Sequence, residues 1–225
     1  MKTISLDGKT MSFDERDDAD KSVVNEIFYF REYRSSEALI VSAKTAIDVG
    51  AHIGVWSAYA SALNPSLKVL ALEPDPDNFL ELKKTVAINK LSNVKIFQEA
   101  LAAASGWRRL SKTEDSINHC LLPEDSDEGR QVKVSSLASF LTDNNIVRAD
   151  IVKLDIEGGE YELLESWDDK DFALMGAIIM EYHQLPGRDF HELEQLIRQH
   201  GWSVQNFPSR FDKDLGFILA RNKRL

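Results

Sequence analysis

"AIDVGAHIGVWSAYA", Ala46 to Ala60, passes from a short apolar run through two glycines into a longer apolar run, with one acid at the join. The first run has strand length, and the second has the pattern of a helix beginning near Val55, so Gly50 and Gly54 occupy a strand-to-helix turn. In an open α/β sheet such a turn lies at the carboxyl end of the strand, where ligands bind. Glycine allows the tight turn and a close approach of backbone to ligand, while the helix start offers free N–H groups. The spacing is Asp48-x-Gly50-x-x-x-Gly54, not the G-x-G-x-x-G that cradles a pyrophosphate. An acid at this turn repels a pyrophosphate and suits a ligand whose facing end is an ammonium or sulfonium. S-adenosylmethionine is such a ligand.

Outward from this turn the chain repeats the same rhythm. Short β-type runs occur at Ala46 to Val49, Lys68 to Leu72, Val94 to Phe97, Asp150 to Leu154 and Gly176 to Met180. Between them lie patterns of helical period such as "PDNFLELKKTVAINK" and "EYELLESW", which argues for parallel strands joined by helical crossovers. Residues 1–44 read as a cap or lid, with one helix expected from Asp20 to Tyr33. The stretch 105–134 breaks the rhythm: "GWRRLSK" and "RQVKVSS" read as short strands around the polar "TEDSINHCLLPEDSDEG". Long irregular insertions are often functional, so Lys112 to Gly129 is expected to contact and select the substrate, and to be mobile without it. At the end, "HELEQLIRQHG" reads as a helix stopped by Gly201, followed by an antiparallel pair, "WSVQNF" and "LGFILAR". All 225 residues are read as one domain.

Composition narrows the function. Asp and Glu outnumber Lys and Arg by 37 to 27, a net charge of −10, which disfavours a nucleic-acid partner. Cys120 is the only cysteine, so no internal disulfide forms, and no run is apolar enough for membrane insertion or a signal peptide. A cytoplasmic protein is expected, its oligomeric state left open. The acidic "DERDDAD", Asp14 to Asp20, reads as a solvated turn before a helix.

A nucleoside cofactor in this architecture is usually held by a carboxylate at the end of the second strand, about 20 residues after the glycine turn. Glu73 in "VLALEPDPDNF" occupies that place and can accept both ribose hydroxyls. "AIDVGAHIG", "LALEPDPDNF", "EAL" and above all "DIVKLDIEGGEYELL" resemble the FkbM family of S-adenosylmethionine-dependent methyltransferases, over roughly Glu26 to His183. The resemblance implies a Rossmann-like class I fold: a mainly parallel seven-stranded sheet with a C-terminal antiparallel hairpin and helices on both faces. It also implies methyl transfer, usually to a hydroxyl of a sugar, glycan or natural product. Carried over by position, Asp48, Gly50 and Gly54 face the methionine end, Glu73 the ribose, and Glu99 with Ala100 the adenine edge, with Pro74 also among the cofactor-binding residues. His52, also counted as cofactor-binding, stands beside the cofactor where the family often has Asn, a change that bears on how the methionine carboxylate is held.

Methyl transfer is an in-line displacement at a carbon already activated by the sulfonium, so the protein must position the acceptor and help a hydroxyl whose pKa is roughly 16, like that of water. The fourth and fifth strands end in "KLDIEGGE" and "MEYH", which brings Asp155, Glu157, Glu181 and His183 to the carboxyl edge near the first turn. Asp155 and His183 are expected to orient and deprotonate the acceptor together, with Glu157 either beside them or capping a helix, and Asp155 also near the cofactor. A competing reading has Asp155, Glu181 and His183 hold a divalent ion. His119 and Cys120 have the wrong spacing for zinc. Lys153, a charge in an apolar strand, needs an acidic partner. Against the O-methyltransferase stand a methyltransferase of proteins or peptides and a domain that binds the cofactor without catalysis. An enzyme of exocyclic base nitrogens would be expected to carry an Asn/Asp-Pro-Pro-aromatic run where this chain has "LDIEGG".

Overall fold

The computed structural model describes residues 1–6, 8–111, 116–117, 119–123, 125–209 and 215–223. Its elements in chain order are β1 (Lys2–Leu6), β2 (Lys9–Phe13), α1 (Asp18–Asn25), α2 (Glu37–Ser42), β3 (Thr45–Val49), α3 (Val55–Leu63), β4 (Lys68–Leu72), α4 (Pro76–Ile88), β5 (Val94–Phe97) and β6 (Ala100–Leu101). Then come β7 (Gly106–Leu110), β8 (Arg130–Ser135), α5 (Leu137–Asp143), β9 (Ala149–Leu154), α6 (Glu160–Glu165), α7 (Asp169–Ala173), β10 (Met175–His183), α8 (Phe190–Gln199), β11 (Trp202–Pro208) and β12 (Leu215–Asn222).

Seven strands form the central sheet in the order β11-β12-β10-β9-β3-β4-β5. β10, β9, β3, β4 and β5 run parallel, and β12 pairs antiparallel with both β10 and β11. This is the mainly parallel seven-stranded sheet with a C-terminal antiparallel hairpin that the family resemblance implies.

Both faces of the sheet are covered, because its central strands are apolar on both sides. Ile47, Val49, Val152, Leu154, Ile178 and Met180 pack on the face that α5, α6, α7 and α8 cover. Ala46, Ile151 and Ile179, the alternate residues, pack on the face covered by β1, β2, α1, α2 and α3. The carboxyl ends of β3, β4, β9 and β10 are thereby left open between the two layers, and the site forms there. No helix among the described residues is long and apolar enough to cross a membrane.

The N-terminal cap differs from its expected single helix. α1 gives way to a wider π turn at Glu26–Phe30, Arg31 takes a left-handed φ of 55°, and a 3-10 turn at Glu32–Ser36 leads into α2. Phe28 packs on Phe13 and Tyr59, and Tyr33 packs on Trp56 and Phe217. Five residues apart, these rings would point in different directions on a straight helix, roughly 140° from each other. The break turns both inward. Before the cap lies a hairpin, β1–β2, which pairs Lys2 with Phe13 through to Leu6 with Lys9 and buries Ile4, Leu6, Met11 and Phe13.

Two strands of the insertion 105–134, β7 and β8, join β6 in a second, three-stranded sheet of order β6-β8-β7. The expectation of a mobile acceptor-selecting segment falls partly on residues 112–115, 118 and 124, outside the described residues. Ser116, Ile117, His119, Cys120 and Leu121 line the cavity at the sheet edge.

Gly50 shows how tightly that edge is built. Its φ is 73°, and a Cβ there would meet the Asp155 carbonyl oxygen at 1.8 Å. Gly50→Ala should lower stability by about 1–3 kcal/mol from the left-handed backbone alone, with the clash adding to it. Urea denaturation measures this, and an unchanged midpoint would contradict the packing described.

Candidate active site

A cavity of about 710 Å³ opens at the carboxyl ends of β3, β4, β9 and β10. One end is formed by Gly50, Ala51, His52, Glu73, Pro74 and Asn78, a side wall by Ala100, Leu101, Ala102 and Leu110, and the other end by Asp155, Glu157, Glu181 and His183.

Glu73 follows β4 and is 5% exposed. Its Oε2 accepts the His52 N–H and its Oε1 the Asp75 N–H, both at 2.8 Å. Two backbone donors thus orient the carboxylate and leave each oxygen a further lone pair for a diol. Burial pushes its pKa up to about 7 against those two donors; nearby Asp75 raises it further and Lys153 lowers it.

His52 is neutral at pH 7, because burial lowers its pKa to about 4 although Asp20 pulls the other way. Its Nε2 lies 3.2 Å from Asp20 Oδ1. Asp20, expected in a solvated turn, is 0% exposed: Arg16 Nε donates to it at 2.9 Å and Ser116 Oγ at 3.1 Å. Arg16 also donates to Asn78 Oδ1 at 2.7 Å, and Asn78 Nδ2 to the Ser116 carbonyl at 2.8 Å. Cap, insertion and cofactor turn are joined through this network. Asn78 is a cavity residue that sequence reasoning missed; its place three residues after the α4 N-cap Asp75 looks like ordinary capping.

Asp48 is not where it was expected. It is 0% exposed and does not line the cavity; its Oδ2 accepts from Ser57 Oγ at 2.6 Å and its Oδ1 lies 3.2 Å from Lys153 Nζ. The acid of the opening stretch anchors a buried ammonium beneath the turn. Gly54 is also absent from the cavity wall. It starts α3 at φ 87°, and a Cβ there would meet Leu82 Cδ1 at 2.6 Å, so it serves packing. Gly50 does line the cavity. Glu99 is turned away, accepting from Ser135 Oγ and paired with Lys133 Nζ, each at 2.7 Å, while its neighbour Ala100 stands in the wall.

Lys153 finds two acidic partners. Its Nζ lies 3.2 Å from Asp48 and 3.3 Å from Asp155, and donates to the Gly50 carbonyl at 2.7 Å. Burial would lower its pKa, but the two carboxylates more than offset that and hold it above the usual lysine value.

At the far end, His183 meets two carboxylates: Nε2 is 3.3 Å from Glu157 and Nδ1 3.2 Å from Glu160. Burial would lower its pKa, yet the bonds to Glu157 and Glu160 hold it up to about 11. The ring is therefore an imidazolium at neutral pH and cannot serve as the general base expected of it. Nor is Asp155 its hydrogen-bond partner, since Asp155 is drawn to Lys153. The structure nevertheless gathers Asp155, Glu157 and His183, with one potential ligand atom from each lying within 4.8 Å of the others. Glu157 takes part with a left-handed φ of 55°. Glu160, fully buried, staples this loop by accepting the N–H groups of Ile156 and Gly158 at 3.1 and 3.3 Å.

With this geometry in hand, comparison with known proteins is decisive. The FkbM methyltransferase domain matches residues 48–204. The chain belongs to that family. Methyltransferase sdnD of Sordaria araneosa is 27% identical over 210 residues, covering 79% of this chain and 81% of that protein. The 31-O-demethyl-FK506 methyltransferase FkbM of Streptomyces tacrolimicus is 24% identical over 210 residues, 80% of each. The hexuronic acid methyltransferase AglP of Haloferax volcanii is 23% identical over 188 residues, 78% of this chain and 70% of that protein. Among solved structures the METTL16 methyltransferase domain shares the fold with a TM-score of 0.56 and 17% identity, covering 94% of this chain and 73% of that chain.

S-adenosylmethionine is the cofactor, and the residues fit it. Glu73 presents a diol acceptor, the wall after β5 is apolar, and the opposite end is rich in carboxylates, as a sulfonium requires. Lys153 is the only lysine or arginine among the described lining residues, and it is engaged by Asp48 and Asp155, so a pyrophosphate would find no free ammonium or guanidinium partner.

Glu73→Ala should weaken S-adenosylhomocysteine binding roughly tenfold or more, since each charge-assisted hydrogen bond contributes about 1.5–3 kcal/mol. In the native protein, protonation of Glu73 removes acceptor capacity, so affinity should fall as pH drops through about 7 and the dependence should flatten in Glu73→Gln. Calorimetry between pH 6 and 8 checks both; equal affinity of native and Ala proteins would place the ribose elsewhere.

Proposed function

We propose that the chain transfers the methyl group of S-adenosylmethionine to a hydroxyl of a sugar, glycan or natural product. The observation that carries this reading is the continuity of one cavity from Glu73 and Gly50 to Asp155, Glu157 and His183. The cofactor, anchored by its ribose at one end, extends its sulfonium toward the carboxylates, and the acceptor enters between that sulfonium and the Asp155–Glu157–His183 edge. This edge orients the hydroxyl for in-line attack and supports loss of its proton. Asp155 serves both ends, as ion-pair partner of Lys153 and as part of the acceptor wall.

A small-molecule or glycan acceptor is favoured over a nucleic acid by the carboxylate-lined acceptor end and by the net charge of −10, which repel a phosphate backbone. The relatives act consistently with this: one is described as methylating demethyl-FK506 at an oxygen, another hexuronic acid. Ser116 to Leu121, where described, forms part of the cavity wall and on this reading shapes the acceptor end.

The test is a screen of sugars, glycosylated lipids and polyketides for S-adenosylhomocysteine release. With an active acceptor, Asp155→Asn should lower turnover by about 10²–10⁴, the usual contribution of a group that assists proton transfer, and His183→Asn by about 10² through misplacing Glu157, while His183→Asn leaves cofactor affinity unchanged. Full activity in both variants would remove this edge from the reaction. Methylation of peptides or RNA with no transfer to any hydroxyl compound would overturn the acceptor class.

A further inference from the structure

Two features of the far end of the cavity go beyond what methyl transfer itself demands. The first is the donor set. Asp155 directly follows β9, Glu157 stands two residues on, and His183 ends the adjacent parallel strand β10, so two carboxylates and an imidazole converge within 4.8 Å. Their side chains are 28%, 26% and 15% exposed, open on the cavity side. The imidazole is also braced from behind. Its Nδ1 meets the buried Glu160, which is itself fixed by the N–H groups of Ile156 and Gly158, so Nε2 is the nitrogen turned to Glu157. A carboxylate on the far ring nitrogen is the arrangement that orients metal-binding histidines.

The second feature is a further acid without a hydrogen-bonded partner. Glu181, two residues before His183 on the same strand, lines the same cavity and makes no hydrogen bond or ion pair within 4 Å among the described residues, its neighbouring charges being those of Asp155 and His183. Glu26 of the cap lines that cavity too. The one ammonium nearby, Lys153, is already shared between Asp48 and Asp155.

We propose that Asp155, Glu157 and His183 form a divalent-cation site, of the kind that takes mixed oxygen and nitrogen ligands, with Glu160 as the outer support of His183 and Glu181 facing the bound ion. Two carboxylates and one imidazole suit Mn²⁺, with Mg²⁺ a weaker occupant because it favours oxygen alone. The cation displaces the proton that Nε2 holds toward Glu157, which leaves to solvent, and three protein ligands leave positions toward the cavity for water or for an acceptor oxygen. In catalysis, which rests on the O-methyltransfer reading, a hydroxyl bound there loses its proton to solvent. Its oxygen lone pair forms the bond to the methyl carbon, and the breaking carbon–sulfur pair returns to sulfur, leaving a neutral thioether. The cation site itself does not depend on that reading.

The experiment is Mn²⁺ titration of the full chain after chelator treatment, followed by electron paramagnetic resonance of free Mn²⁺ and by calorimetry, with S-adenosylhomocysteine affinity measured separately on the same samples. One equivalent of Mn²⁺ should bind saturably. Glu157→Gln and His183→Asn should each weaken it by at least about tenfold, and Glu160→Gln by about 10–100-fold, the usual effect of losing an outer support, while S-adenosylhomocysteine binding by the Glu157 and His183 variants stays native. The cofactor measurement also shows that these variants are folded. Absence of saturable Mn²⁺ binding, or equal binding by native protein and by both Glu157→Gln and His183→Asn, would overturn the site. Failure of methyl transfer with Mn²⁺ binding intact would strike the acceptor reading and leave the cation site standing.

Discussion

The Lys153 ammonium, 3% exposed, joins three points of the chain that are far apart in sequence: the Asp48 carboxylate at the end of β3, the Gly50 carbonyl in the glycine turn and the Asp155 carboxylate after β9. A buried charge is tolerated only where partners and hydrogen bonds replace its water. Here the partners are the parts of the molecule that must stay in register. β3 pairs with β9 so that Asp48 lies directly beside Lys153, and Gly50 has no room for a side chain because the Asp155 carbonyl occupies it. The cofactor turn and the acceptor edge are two sides of one ion-paired junction.

That junction also sets the electrostatics of the cavity. With Lys153 committed inward, no lysine or arginine among the described lining residues remains to attract a phosphate, and the carboxylates of Glu26, Asp155, Glu157 and Glu181 dominate the acceptor end. Burial and mutual repulsion raise the pKa of Glu26, and burial pushes that of Glu32 up to about 7, with Glu26 and Asp155 adding to the effect. Such an environment stabilises the positive sulfonium.

The fold was legible because its signals are local: alternating strands, helical crossovers and the glycine turn repeat along the chain, and each parallel strand falls where its apolar run predicts. The place of Glu73 in the cavity wall was legible for the same reason, being fixed by its distance from the turn. What escaped was long-range. Asp48 looks like a ligand residue until Lys153, 105 positions later, is seen to claim it. His183 reads as a base until Glu157 and Glu160 are found on either side of it, and nothing in "MEYH" shows that both would reach the ring. The β1–β2 hairpin carries a local signal, two alternating runs around Asp7-Gly8, but the acidic stretch after it is the more conspicuous feature. The break in the cap was not readable, because it follows from where Phe13, Trp56, Tyr59 and Phe217 stand in the folded core.

A double-mutant cycle on Lys153→Met and Asp48→Asn, read by urea denaturation, addresses the junction most directly. Removing one member of a buried pair typically destabilises by about 3–5 kcal/mol because the other charge is stranded, whereas removing both strands neither. The account predicts that the double variant is less destabilised than the sum of the singles, with a coupling of about 0.5–3 kcal/mol. Singles whose effects simply add would show that Lys153 and Asp48 act independently, and the junction would then not be the constraint on which the site is built.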